Sequence, residues 1–195
     1  MAFLSDFILR NKLNKYYAFI WDSKIRKFKA INFIKTIDLK LIIGIDKQKE
    51  ILFKNTRNFS IGNFSNNALL WGTRGNGKST LIKSTFKELS KENKKLRLIQ
   101  LNKSDIFNIE EIYSILSIFS SLRFIIFIDD LSFEKIDSDY KIIKSTLDGG
   151  IQNQPDNIVL YVTSNRRHLM PRDMIDNERS SAIHTDESIE EKISL

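Results

Sequence analysis

The run Gly72-Thr73-Arg74-Gly75-Asn76-Gly77-Lys78-Ser79 limits what this chain can fold into more than any other stretch of it. It fits G-x-x-x-x-G-K-[ST] at every fixed position, a pattern that carries meaning only between a strand and a helix. Both neighbours read that way. Ala68-Leu69-Leu70-Trp71 is a short apolar run that predicts a strand, and from Lys78 to about Leu89 the residues Leu81, Ile82, Phe86 and Leu89 share one helical face. In this setting the glycines let the backbone curl until successive N–H groups point inward, where they can bind phosphate oxygens. The start of the following helix adds the positive end of its dipole. Residues Gly72 to Thr80 are therefore expected to cradle a nucleoside triphosphate. Lys78 would reach the β and γ phosphates, and the Ser79 hydroxyl would bind Mg2+.

Two later segments belong to the same reading. Phe124-Ile125-Ile126-Phe127-Ile128 is a continuous apolar run, expected of a strand buried on both faces, and it ends in Asp129-Asp130. Asp129 is expected to hold magnesium, an ion that keeps much of its water and takes few carboxylates. Asp130 would lie near the attacking water. A third apolar run, Ile158 to Val162, ends in Thr163-Ser164-Asn165, and Asn165 is the residue expected to orient water beside the γ phosphate. Leu96 to Leu101 reads as a further strand, Asn108 with Glu111 resembles a capping box for the next helix, and Tyr140 to Leu147 reads as a helix stopped by Gly149-Gly150. Strands alternating with helices predict a parallel sheet with helices on both faces.

Composition narrows the class. Hydrophobic residues make up 42% of the 195, enough for a core, and the absence of cysteine excludes disulfides and thiolate metal sites. No run approaches the ~20 apolar residues that span a bilayer, and the first residues, with Asp6 among them, make a poor signal peptide. A cytoplasmic protein is the expectation. The net charge of +7 is unevenly placed: residues 1–67 hold 13 Lys and Arg against 5 Asp and Glu, and residues 68–195 hold 18 against 19. The division read from this is a basic, aromatic-containing N-terminal segment, 1–40, before a nucleotide-binding domain, 41–195. The segment predicts a short helix and one or two strands, and its cations and rings make nucleic acid a possible partner. A helix is expected from Asp46, as its cap, to about Asn58.

Other motifs are weaker. Asn102-Lys103-Ser104-Asp105 matches the N-K-x-D of guanine readers, but it precedes Asp129 instead of following it, so it reads as a loop entering a helix and ATP is preferred to GTP. Arg166-Arg167-His168 could face the γ phosphate, a neighbouring subunit or nucleic acid, or be a solvated loop. His168 and His184 lack metal-ligand spacing.

A P-loop, then an apolar strand with paired acids, then a strand ending in Asn resembles the AAA-type ATPases. Ile43-Gly44-Ile45-Asp46 is similar to the segment that covers adenine there, which makes Ile45 a nucleotide contact by resemblance. More narrowly, Gly44-Ile45-Asp46-Lys47-Gln48-Lys49-Glu50, Leu70-Trp71-Gly72, Asp129-Asp130-Leu131-Ser132-Phe133, Thr163-Ser164-Asn165-Arg166-Arg167-His168-Leu169 and the closing Glu190-Glu191-Lys192-Ile193-Ser194-Leu195 resemble a bacterial ATP-binding family filed as a domain of unknown function. The resemblance implies a three-layer parallel-sheet P-loop core and a magnesium-dependent ATP hydrolase that remodels a partner, as a homo-oligomer or on another protein. A nucleotide-binding switch with little hydrolysis is the alternative, because Asp130 stands where the wider group has Glu. A small-molecule kinase would need an acceptor pocket that is not found. Only four core strands can be assigned, so the fifth strand and helical lid of the group are expected to be missing and the P-loop strand to be left at an edge. Either the chain is truncated, or the basic N-terminal segment covers that edge.

Overall fold

A computed structural model describes residues 2–131 and 154–165. The helix read at 140–147 with its glycine stop, Ser132-Phe133, the Arg166-Arg167-His168 loop, His184 and the closing 190–195 lie outside the described residues. Four helices and six strands are described: α1 Ala2–Lys15, β1 Ala18–Asp22, β2 Lys27–Ile31, α2 Asp46–Ser60, β3 Ala68–Trp71, α3 Lys78–Glu92, β4 Leu96–Leu101, α4 Ile109–Ser117, β5 Arg123–Ile128 and β6 Ile158–Ser164.

The sheet is organised around β5. Each of its five apolar residues, Phe124 to Ile128, is almost wholly buried, because the strand has a neighbour on each side and helices on both faces. Phe124, Ile126 and Ile128 join one apolar cluster with Leu13 of α1 and Ile109, Ile112 and Leu116 of α4. Ile125 and Phe127 join the other, with Leu52 of α2 and Leu81, Ile82 and Phe86 of α3. The two-residue repeat of a strand thus divides one apolar run between two cores, each buried side chain contributing about 1.5–3 kcal/mol. This is the three-layer arrangement expected from the sequence.

The strand order is β2-β1-β4-β5-β6-β3. β4, β5, β6 and β3 run parallel, with Leu98 opposite Ile125, Ile126 opposite Leu160, and Leu70 opposite Thr163. The P-loop strand β3 stands at one end of the sheet among the described residues, as expected. The N-terminal segment does not cover it. β1 pairs parallel with β4 at the opposite end, and β2 folds back antiparallel on β1, with Trp21 opposite Phe28. The reason lies in the hairpin's own apolar residues. Phe19, Trp21 and Phe28 are buried in the α1–α4 cluster, so the segment is fixed at the β4 flank by its core face. Arg97 of β4 locks the same flank. Its guanidinium donates to the carbonyls of Leu13, Lys94 and Leu96 and lies 4.7 Å over the Tyr17 ring, and burial lowers its pKa.

Two capping expectations are corrected. Asp46 is the first helical residue of α2 and not its cap; Ile45 takes that position, and the Asp46 carboxylate accepts from Lys49 Nζ at 2.6 Å. Asn108 precedes α4 without a side-chain bond. The capping box forms earlier, at Asn102 and Asp105, where a 3-10 turn over 103–108 begins. That turn runs directly into α4 and the Ile109 amide already bonds Ile106, so Glu111 is left to pair with Arg26 at 2.6 Å. The N-K-x-D resemblance is accounted for by this turn.

Candidate functional site

β3, β5 and β6 run parallel, so their carboxyl ends reach the same edge of the sheet, the usual place for ligands in such folds. Beyond β3 the chain turns through Gly72, Gly75 and Gly77 into α3. Gly75 and Gly77 have φ of +81° and +77°, and an added Cβ at either would meet nothing within 4 Å. Conformation, and not space, requires glycine there. α3 begins at Lys78, with Gly77, which has no side chain to cap the first amides, in the cap position. Those amides remain directed at whatever anion occupies the loop.

The functional groups converge on a cleft of about 320 Å³ lined by Arg74 to Thr80, Asp129, Asp130, Thr163 and Asn165. Lys78 Nζ donates to the carbonyls of Gly72 and Thr73 at 2.8 Å each and to Asn165 Oδ1 at 3.3 Å. Ser79 Oγ donates to Asp129 Oδ1 at 2.5 Å, and Thr163 Oγ1 donates to the same oxygen at 2.6 Å. The Asp130 amide donates to Thr163 Oγ1 at 2.9 Å. Asn165 Nδ2 donates to Asp130 Oδ1, and Arg74 lies 3.4 Å from its other oxygen. Asp130 itself has φ +54°, a left-handed conformation uncommon outside glycine and somewhat tolerated by Asp.

Nearly every residue read from the sequence is therefore in one place. Arg74, Gly75, Asn76, Gly77, Lys78, Ser79, Thr80, Asp129, Asp130 and Asn165 line the cleft, while Gly72 and Thr73 supply carbonyls to Lys78. Ile45 is not among the lining residues; it packs against the apolar cluster of α2 and α3. Thr163 is the lining residue to which motif reading gave no role. The sequence showed only a hydroxyl at the end of a buried strand, two positions before Asn165. The basic hairpin lies at the other flank, and two of its cations are already paired, Arg26 with Glu111 and Lys29 with Asp22.

The donors suit a small hard cation. A hydroxyl and a carboxylate in contact, Ser79 and Asp129, are oxygen ligands, and among the described residues no three His, Cys, Asp or Glu gather at a metal-binding distance. Mg2+ is commonly held by one or two carboxylates with phosphate oxygens, in place of an all-protein cage, and these residues fit it.

A glycine loop between strand and helix, an acid-bearing strand, and a further strand inserted between the two define a P-loop nucleoside triphosphatase fold of the AAA type. Within that class the chain belongs to the family described as "Protein of unknown function (DUF815)", whose profile matches residues 14–195. Among solved structures, PCH-2 of C. elegans is 16% identical with a TM-score of 0.49, covering 72% of this chain and 42% of that one. The Thermotoga maritima RuvB Holliday junction branch migration motor is 19% identical with a TM-score of 0.47, over 71% of this chain and 44% of that one. AMPPCP-bound DnaA from Aquifex aeolicus is 15% identical with a TM-score of 0.46, over 77% and 50%. The chain thus spans half or less of the length of these structures. No curated protein matches it. Among the described residues no helix is long and apolar enough to cross a membrane.

Proposed function

We propose that the cleft binds ATP with Mg2+ and hydrolyses it, and that the cycle changes the conformation of a partner, either another copy of the chain or another protein. The observation that carries this reading is the meeting of Ser79 of the P-loop helix with Asp129, the first residue after β5, at 2.5 Å. Residues 50 positions apart in sequence bring a hydroxyl and a carboxylate together beside the glycine loop. Lys78 would exchange its carbonyl partners for phosphate oxygens, a charge-assisted contact stronger than the neutral ones it replaces. Ser79 and Asp129 would hold the ion, which when bound supplies charge stabilisation to the phosphoryl oxygens. Asp130 and Asn165, bonded to each other, would orient water toward the γ phosphate.

A second reading, a nucleotide-binding switch with little turnover, is favoured by one observation. The Asp130 carboxylate is engaged by both Asn165 and Arg74, and a carboxylate so engaged has fewer free lone pairs with which to accept from water. Titration with a fluorescent ATP analogue, with and without magnesium, tests binding, and phosphate release separates the two readings. Magnesium-dependent affinity with steady phosphate release supports hydrolysis; affinity without release supports the switch; no affinity overturns both.

A further inference from the structure

Three consecutive residues after β5 hang on one side chain and its carbonyl. The Thr163 hydroxyl donates to Asp129 Oδ1 at 2.6 Å and accepts from the Asp130 amide at 2.9 Å. The Thr163 carbonyl accepts from the Leu131 amide at 2.8 Å. Up to Ile128, opposite Val162, β5 and β6 stay in parallel register. Beyond that pair the chain wraps around Thr163, and the wrap is what places Asp130 at φ +54°. Thr163 is 1% exposed, so water does not compete for its hydroxyl.

We propose that Thr163 is the positioning residue of the site, setting the carboxylate of Asp129 and the backbone of Asp130 through a single hydroxyl. The inference rests on the nucleotide reading above and assigns the two acids a common support. A hydroxyl has one hydrogen to give and can accept others. Given to Asp129, that hydrogen orients the carboxylate, leaving the oxygen's acceptor capacity for the amide of Asp130. Valine has the same outline and neither capability. Serine has both. The left-handed turn has an energetic cost, and the amide–hydroxyl bond is one of the contacts that holds it. Asn165 and Arg74 hold only the Asp130 side chain, so they cannot replace that bond.

The test is a magnesium titration of nucleotide affinity, using a fluorescent ATP analogue, on the wild-type chain, Thr163→Val and Thr163→Ser, with thermal melting of each. In Thr163→Val the affinity without magnesium is expected to stay within about twofold, while the enhancement by magnesium falls about tenfold or more, the usual loss when a ligand's hydrogen-bond partner is removed. Thr163→Ser keeps the wild-type response. A wild-type magnesium response in a folded Thr163→Val overturns the inference while leaving the function standing. If Thr163→Val does not fold, Thr163→Ser decides: a lost magnesium response in that folded variant overturns the inference, because the hydroxyl is still present. A wild-type chain that binds no nucleotide at all overturns the function, and the inference with it.

Discussion

Arg26 and Asp130 are the two non-glycine residues with left-handed backbone among the described ones, at φ +48° and +54°; Arg26 lies in the hairpin at one end of the sheet, and Asp130 follows the central strand β5. Arg26 closes the β1–β2 hairpin. The bonds that shape the turn backbone are local: Asp22 Oδ1 accepts from the amides of Lys24 and Ile25, and the Asp22 carboxyl is held below its usual pKa chiefly by its bond to Lys29. The Arg26 guanidinium is exposed and reaches Glu111. Around Asp130 the bonds are long-range, to Thr163, Asn165 and Arg74. The conformational cost is comparable, about 1–2 kcal/mol at each. The difference is in what the strain delivers. At Arg26 it reverses the chain direction, a task many turns perform. At Asp130 it holds a carboxylate beside a phosphate loop, in an arrangement that requires two other segments, the end of β6 and the P-loop. Strain marks a site when distant groups converge on it, and not otherwise.

The largest effect expected from breaking this comparison is at the site where distant groups converge. Lys78→Ala should weaken ATP-analogue affinity by about two orders of magnitude, the size of a lost charged hydrogen-bonding group, with a melting curve close to wild type. The residue's partners are loop carbonyls at the surface, so the core is untouched. Unchanged affinity would remove the P-loop assignment.

Next come the two acids. Asp129→Asn is expected to lose the magnesium enhancement of affinity by about tenfold or more, because Ser79 and Thr163 both bond its Oδ1. Asp130→Asn should keep that affinity and lose phosphate release. Equal loss of binding in both would show that the two carboxylates share one role.

A smaller effect separates the strains themselves. Glycine relieves left-handed strain but adds unfolded-state freedom, so Arg26→Gly should change stability by less than about 1 kcal/mol in denaturant unfolding. Asp130→Gly should be similarly mild in stability yet lose phosphate release. A destabilisation above ~2 kcal/mol at Arg26 would mean that the hairpin turn carries more than chain reversal. The smallest effect is expected where Lys24, Arg26, Lys27 and Lys29 are all replaced by Gln. Nucleotide affinity should stay within about twofold, since the hairpin stands beyond β4 while the cleft joins β3, β5 and β6. Any single-stranded nucleic acid binding by the wild type that survives this change, measured by anisotropy at low salt, would remove the hairpin as its site.

Local residue patterns determined much of this protein. The eight-residue P-loop requires specific backbone angles at Gly75 and Gly77, and no tertiary partner is needed to read them. The unbroken run Phe124–Ile128, too short for a buried helix, reads as a strand with two covered faces, and the acids after it follow by position. Ala68–Trp71 and Leu96–Leu101 were legible to the residue, because apolar runs bounded by Gly, Asn or Lys have few other uses. Only the tertiary structure decided which edge the basic segment joins, because Phe19, Trp21 and Phe28 could pack under any open strand and their partners on α4 lie more than 75 residues away. It moved the capping box from Asn108 to Asn102, since competition among nearby caps depends on how the preceding turn enters the helix. It also showed the place of Thr163. A threonine at the end of a strand looks like any other until β5 and β6 lie side by side, and a hydroxyl acts through geometry that no single segment contains.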